Sequence, residues 1–514
     1  MSVNLEIDVP CYEVPDLALP ERIVKPLEVM TIKEYAAYLE YMPDEQLPEL
    51  STISDVIVEK LSKAEYSKVM FGGRYAIMQE SIDFEAPEFH KPSELKTFHI
   101  DLKVPYINQE NRRKNKGVFA IFEESSKAPK FSSVIFNPSY VGDYGETKNL
   151  FRGFPLVHDT YVPIDIDPCF TEASYVISHV KEHYPNASRV IEHIFNNIAD
   201  GNLDLALQII AFIADILQKP EKSPMLALIL RSPEKGTGKS IFASIIQELV
   251  GQRLSLKVKD LQHIIGKHNP HLVDKLVVIG EELSFGGSHD TNDKIKDLIT
   301  SSHQTIEPKF KDVIQVRKYF RLVLCTNKDW AVNASGDERR YIIADVAPHQ
   351  AQNDEYFAPM LDGDSINKLM IKDLFDFLMS VDYGEIDLSK GVETEGMKNQ
   401  KMESMTPLEQ WWDSCLEDER IGDGYELIPG DNDLDNGLIS KKNIYASYIT
   451  WLDIAKPNDK TRISNRNVFG QKFLALARCK DKTLINSDKK NSQGDRCYQF
   501  GSIEELKKVF RSKF

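Results

Sequence analysis

The chain has 514 residues, 42% hydrophobic and 28% charged, with a formal net charge of −16. It is too long for one hydrophobic core and reads as a soluble globular protein of about three domains. No apolar run nears the roughly eighteen residues of a membrane span, and MSVNLEIDVP at the start lacks the basic-then-apolar order of a signal peptide, so a cytoplasmic protein with no membrane partner is expected.

The six cysteines, Cys11, Cys169, Cys325, Cys415, Cys479 and Cys497, form no C-x-x-C pair, which supports neither a zinc knuckle nor a disulfide framework. The acidic average argues against a polyanion partner. It hides a basic tail: from Lys441 onward there are 17 Lys and Arg against 7 Asp and Glu, a local balance of +10. Such asymmetry suggests a nucleic-acid-facing tail, with a solvated basic face as the alternative.

Residues 1 to about 60 offer one helix, around TIKEYAAYLEYM. From Tyr66 to Pro155, short apolar runs (KVMFGGRYAIM, KTFHIDLKV, GVFAIFEES) broken by Gly, Pro and Asn predict a small β-rich domain. The cluster NRRKNK at Asn111 to Lys116 is read as a solvated loop ahead of a nucleic-acid contact. In NLDLALQIIAFIADILQKP, Leu203, Leu207, Ile210, Ile213 and Leu217 recur at helical spacing, and Pro220 stops the helix.

MLALIL, Met225 to Leu230, has the continuous apolar character of a parallel strand covered on both faces. It runs into RSPEKGTGKS and a helix from Ser240 to Val250 that Gly251 ends, the order of an α/β nucleotide-binding core. In the pattern G-x-x-x-x-G-K-[ST], consecutive backbone N–H groups at a helix head cradle phosphates. Gly236, Thr237, Gly238, Lys239 and Ser240 are the candidate ATP contacts, with Lys239 reaching the β- and γ-phosphates and Ser240 holding Mg2+. Pro233 stands at the first glycine of the pattern, where it fixes φ without removing a phosphate-binding amide.

KLVVIGEELSF ends a second buried strand in adjacent carboxylates, Glu281 and Glu282, 43 residues beyond Lys239. Side chains alternate along a strand, so one carboxylate can face the magnesium shell while the other polarises water. A third strand, YFRLVLCTN, closes on Asn327, an amide suited to orienting water or the terminal phosphate. In GDERRYIIADV, Arg339 and Arg340 precede another apolar strand and suggest a finger offered to a neighbouring subunit, with an ion pair to Glu338 as the alternative. Beyond about Val346 the chain reads as helical and acidic. A linker is expected at Gly422 to Gly437, then helix, helix, a β segment (CYQF) and a last helix (SIEELKKVF).

This ordered set resembles the superfamily 3 helicases of viruses, phages and plasmids, and in particular the helicase part of phage and mobile-element primase-helicases. IFNPS (Ile135 to Ser139), NLFRGFP (Asn149 to Pro155), QKP and GKHNPHL (Gly266 to Leu272) share in the likeness. The resemblance implies an AAA+-like P-loop core, a parallel sheet with flanking helices, within an α/β chain. Its expected parts are an accessory region at 1–155, β-rich from about 65, a helical collar at 156–222 and the ATPase core at 223–350. A helical part and linker at 351–438 and a basic winged-helix-like DNA-binding domain at 439–514 complete it.

It further implies an ATP- and Mg2+-dependent ring, usually a hexamer, that translocates 3′ to 5′ on single-stranded and forked DNA. Acting in the replication of a phage, plasmid or other mobile element, such a ring would leave priming to a separate primase or polymerase. Lys239 and Ser240 would form the Walker A pair, Glu281 and Glu282 the Walker B pair with Glu281 on Mg2+, Asn327 the sensor and Arg340 the finger. IEPKFKD, Ile306 to Asp312, matches the DNA-gripping hairpin, with Lys309 and Lys311 on phosphate and Phe310 where some viral relatives carry histidine. In the tail, Lys441, Lys442, Arg462 and Arg466 are the candidate DNA contacts. A DNA-binding ring ATPase that opens an origin, loads a host helicase or acts in inter-element conflict is the alternative. PIDIDP offers a D-x-D pair, Asp165 and Asp167, but lacks the subsequent G-x-H segment of a primase.

Overall fold

In the computed structural model the described residues are 26–80, 87–169, 171–222, 225–267, 269–282, 289–306, 314–327, 339–398, 405–421, 425–426, 438–457, 463, 465–477 and 484–511. The chain divides into two compact units, Met1–Gly153 and Phe154–Phe514.

Among the described residues the first unit opens with the helices Ile32–Glu40 and Leu50–Lys63, and from Tyr66 on it is mainly short strands with two short helices. Thr31 caps the helix Ile32–Glu40 through a reciprocal capping box with Glu34. KVMFGGRYAIM, read as β-like, forms a hairpin, Tyr66–Phe71 against Arg74–Gln79, with left-handed Gly72 and Gly73 at its turn. GVFAIFEES, read as a strand, is instead the helix Val118–Glu124, which buries Val118, Phe119, Ile121 and Phe122. KTFHIDLKV splits into the end of the helix Pro92–Phe98 and the strand Lys103–Ile107. Short apolar runs fit either period, and packing decided these two.

The IFNPS and NLFRGFP motifs have a structural role in this unit. Buried Asn149 accepts from the Asn137 and Phe151 backbones and donates to the Asn137 and Tyr140 carbonyls. Beside it Arg152 grips Glu80 at 2.8 and 2.7 Å and Lys148 meets the same carboxylate at 2.7 Å, so the buried charges are paired. NRRKNK, read as a loop, is instead largely a strand, Arg113–Gly117, paired antiparallel with Lys103–Ile107, and its Arg113 pairs with Asp44 and Lys116 with Glu124.

In the second unit the helix α1, Leu203–Gln218, starts at a capping Asn202 and buries every residue from Leu205 to Leu217. The strand β1, Ala227–Arg231, leads through the glycine-rich loop into α2, Lys239–Val250, which Gly251 ends. Next come β2 (Ser255–Val258), β3 (Val277–Glu281), α3 (His289–Thr300), β4 (His303–Ile306), β5 (Ile314–Arg317), β6 (Arg321–Thr326) and β7 (Tyr341–Asp345). Five of the strands make one parallel sheet in the order β2-β3-β6-β1-β7, its central strands almost wholly apolar, as a sheet covered on both faces requires.

One charged cluster ties α1 into this core. Arg321, fully buried at the start of β6, donates to Asp215 of α1 at 2.7 Å, and the Tyr383 hydroxyl donates to the other Asp215 oxygen at 3.0 Å.

The tail builds its own core from farther back than residue 439. Helix α4, Pro407–Glu417, places Trp411 and Trp412 against Tyr448, Phe469, Phe473 and Phe500. Around them lie β8 (Leu438–Ser440), α5 (Lys441–Ala455), α6 (Arg466–Ala477), β9 (Ile485–Lys490), β10 (Arg496–Phe500) and α7 (Ile503–Arg511), with the sheet in the order β8-β10-β9. The expected linker at 422–437 lies outside the described residues apart from Tyr425 and Glu426, which pair back on Arg420 and Ile421.

Candidate nucleotide site

The parallel register brings the C-terminal ends of β1, β3 and β6 side by side, so the segments that leave these strands share one edge of the sheet. Lys239, Ser240, Glu281, Glu282, Thr326 and Asn327 line one cavity there, together with Cys325 and Lys259. Its volume of about 130 Å³ has room for a phosphate group with some of its waters, each water taking about 30 Å³.

The loop between β1 and α2 is held at both flanks. Arg231 and Asp345 form a two-pronged pair at 2.6 and 2.5 Å, and the Ser232 amide donates to the Thr326 carbonyl at 3.2 Å. Gly236 and Gly238 both have positive φ, +74° and +91°, the left-handed region that glycine enters without a Cβ clash. Space forbids a side chain as well. A Cβ on Gly238 would stand 2.7 Å from His193 Nε2, and one on Gly236 would stand 3.1 Å from the Gln352 amide nitrogen, which donates to the Gly236 carbonyl.

Lys239 is folded into its own loop, its ammonium donating to the Ser232 and Glu234 carbonyls at 3.2 and 3.1 Å and to the Thr237 hydroxyl at 3.2 Å. Burial lowers its pKa from the ordinary lysine value. Thr237 is buried, whereas Ser240 is exposed at the helix head. Glu281 is partly buried. Glu282, exposed, has φ +54° and ties its amide to the Cys325 carbonyl at 2.9 Å. A non-glycine residue held there stores strain of order 1–3 kcal/mol, a cost often concentrated at functional sites. Burial, with Glu281 nearby, pushes the Cys325 thiol up to about 12, so it is an inert floor to the cavity.

Three residues of this site escaped the sequence reading. His193, fully buried on the far side of Gly238, is pulled down by burial to about 4, and its Nδ1 faces the Tyr356 hydroxyl at 3.3 Å. Lys257 and Lys259 come from β2 and its end. The Lys257 ammonium donates to Ser244 of α2 at 2.8 Å and sits 3.6 Å from Glu281. No motif marks SLKVK, and only the parallel pairing of β2 with β3 reveals these lysines.

The remaining candidates lie elsewhere. Arg339 and Arg340 precede β7 at the N-terminal edge of the sheet, where the Ala227 amide donates to the Arg340 carbonyl at 2.9 Å. Five residues of strand, about 16 Å, separate that edge from the loop, so neither arginine reaches the loop of its own chain. Arg339 is exposed and Arg340 half-buried. Lys309, Phe310, Lys311 and Arg462 lie outside the described residues, although β4 and β5, on either side of the predicted hairpin, do pair antiparallel from His303↔Arg317 to Ile306↔Ile314.

In the tail, Lys442 and Arg466 are exposed. Lys441 is turned inward, donating to the Ser487 carbonyl at 2.8 Å with its ammonium 4.9 Å from the Tyr498 ring centre. Asp165 and Asp167 are spent on turns, accepting from the Asp167 and Cys169 amides. No helix among the described residues is long and apolar enough to cross a membrane.

Comparison with known proteins agrees with this architecture. The family model described as "Family of unknown function (DUF5906)" matches residues 230–340, from the end of β1 to the arginine pair. No curated protein matches the sequence. Among solved structures, the apo structure of the NrS-1 C terminal region (305–718) is similar at 15% identity and a TM-score of 0.53, covering 78% of this chain and 93% of that one. The A form apo structure of the same region is similar at 15% identity and a TM-score of 0.54, covering 87% and 99%. At such identity the likeness shows a shared fold, a mixed α/β architecture with a parallel sheet.

Proposed function

We propose that the chain is an ATP-dependent DNA helicase or translocase that works as a ring, in the replication of a phage, plasmid or other mobile element. The observation that carries this reading is the convergence of Lys239, Ser240, Glu281, Glu282 and Asn327 on one cavity at the C-terminal edge of a parallel sheet. Open α/β sheets bind their ligands at that edge. The glycine loop at the head of α2 suits a triphosphate, because its backbone amides and the helix dipole face the same anion.

On this reading Lys239 exchanges its loop carbonyls for the β- and γ-phosphates. Glu282, fixed by its strained backbone, takes the proton side of the attacking water, and Asn327 orients that water or the terminal phosphate. Ser240 and Glu281, an oxygen pair of the kind magnesium favours, would hold Mg2+, which when bound supplies neutralisation of phosphate charge. The finger must then come from a neighbour, since Arg339 and Arg340 stand at the opposite sheet edge.

The tail suits duplex DNA. Its helices and its sheet order β8-β10-β9 fit a winged-helix-like plan. Helix α6 turns Arg466, Asn467, Gln471 and Lys472 outward, residue types that read base edges and phosphates.

The test is a forked-DNA unwinding assay with ATP beside a single-strand-stimulated ATPase measurement, on the parent, Lys239→Ala and Glu282→Gln. Turnover and unwinding by the parent, with both variants inactive and only Glu282→Gln retaining ATP, are expected. Turnover without strand separation would favour a ring ATPase that opens an origin or loads another helicase. Parental turnover by Lys239→Ala would refute the site.

A further inference from the structure

Lys259 lines the cavity but has no part in the chemistry assigned to its neighbours. The register of β2 on β3 runs Lys257↔Ile279 and Val258↔Gly280, and Lys259 follows directly where β2 ends, at the edge of the sheet where β3 ends in Glu281. Its neighbour Lys257 points toward α2, with its ammonium between Ser244 and Glu281. Lys259 shares the cavity with Lys239, Ser240, Glu281, Glu282 and Asn327.

The three lysines differ in commitment. Lys239 is occupied by its loop, and Lys257 by Ser244 and Glu281. Lys259 is exposed and among the described residues has no hydrogen bond or ion pair.

We infer that Lys259 is a second phosphate-binding lysine, which meets the terminal phosphate of the nucleotide and selects a triphosphate over a diphosphate. The inference rests on the nucleotide reading of the site and adds a residue that no motif contains. The reason is positional. The phosphates enter from the α2 head, and the phosphate undergoing hydrolysis is the one nearest the water-polarising carboxylate. A cation that lines the cavity beside Glu282, and comes from the β2 end and not from the loop at the α2 head, is therefore placed to meet the γ-phosphate. It also offsets the two carboxylates, whose charge would otherwise repel an incoming dianionic phosphate at this side of the cavity. Lysine suits the place, since its ammonium acts as a point charge on a flexible stem.

The test uses the full chain with magnesium present and the Glu282→Gln background to prevent turnover, with ATP and ADP binding measured by calorimetry. Lys259→Ala should weaken ATP about ten- to hundredfold, the loss of one charge-assisted contact, and leave ADP unchanged. Lys259→Arg should recover most of that loss. Lys239→Ala, run in parallel, should weaken both nucleotides. An unchanged ATP-to-ADP ratio in Lys259→Ala overturns the inference, and so does an equal loss for both nucleotides, which would mark a general field. If Lys239→Ala weakens binding while Lys259→Ala does not, the nucleotide site stands and this inference alone falls. If the parent binds neither nucleotide, both fall together.

Discussion

Gly238→Ala would test how tightly His193 and Phe357 back the glycine-rich loop. The residue has φ +91°, so alanine incurs the left-handed penalty of about 1–2 kcal/mol. Its Cβ would also stand 2.7 Å from His193 Nε2, 2.8 Å from His193 Cε1 and 2.7 Å from Phe357 Cε1, closer than real Cβ contacts come. Relieving such an overlap in a packed interior costs about 1–3 kcal/mol. The sum is about 2–5 kcal/mol, divided between local stability and displacement of the loop from the pose that α2 imposes.

Thermal unfolding and nucleotide binding measured on the same samples read the two parts. A lowered melting temperature, a weakened nucleotide affinity, or both are expected. Adding His193→Ala should recover part of the steric cost and none of the backbone cost, so the double variant should fall between the parent and Gly238→Ala. A Gly238→Ala protein that melts and binds nucleotide like the parent would refute this packing of His193 behind the loop.

Asp215→Ala strands a fully buried Arg321 and should cost about 3–5 kcal/mol in denaturant unfolding, with Arg321→Met in the same chain recovering much of it; no recovery would show that the pair does not couple α1 to β6. His193 has an ordinary pKa near 6.5 when unfolded and about 4 when folded, so as pH falls through that window the unfolded chain takes the proton first and stability is lost. Between pH 7 and pH 5 the loss should be about 2 kcal/mol in denaturant unfolding, and His193→Gln should remove that part of the slope. Arg466→Ala with Lys472→Ala should lower the salt slope of duplex binding by about two, whereas Lys441→Ala, deprived of its contact with Ser487, should act on tail stability instead. For the arginine pair, Arg339→Ala or Arg340→Ala subunits mixed with Lys239→Ala subunits should regain ATPase that neither parent shows; co-assembled mixtures that stay inactive would remove both arginines from the chemistry.

The strand-loop-helix unit at this sheet edge was legible because several independent signals agree there. An apolar run, two obligatory glycines and a helix stop by Gly251 all point to one strand-loop-helix unit, and each is a local property of a few residues. Signals that rest on one cue fared worse. GVFAIFEES has a strand-like composition but too few residues to fix its period, and the face formed by Val118, Phe119, Ile121 and Phe122 packs as a helix. INSDKK, polar after Ile485, becomes β9 because β10 offers it a ladder from Ile485↔Phe500 to Lys490↔Arg496, a partner that composition does not reveal. Lys257, Lys259 and His193 were invisible for a further reason, since they reach the site only through strand pairing and the packing of His193 behind Gly238, and neither leaves a pattern along the chain.

The direction of the strands also constrains how such a site could be completed. In a parallel sheet the residues just after each strand collect at one edge and the residues just before each strand at the other. The loop, the carboxylates and Asn327 come at or after the ends of β1, β3 and β6, whereas Arg339 and Arg340 precede β7, and the pairing Ala227↔Tyr341 holds that arrangement rigid. The β4–β5 pair leads into the same arginine-bearing edge, because Arg317 comes four residues before the start of β6. One chain thus presents a phosphate edge and, about one strand length away, a basic edge. A nucleotide bound at the first can be met by an arginine of this kind only from another copy, and the same step would couple hydrolysis at one subunit to the hairpin strands of its neighbour. On the proposed reading that coupling is what a translocating ring needs, and the strand direction is compatible with it.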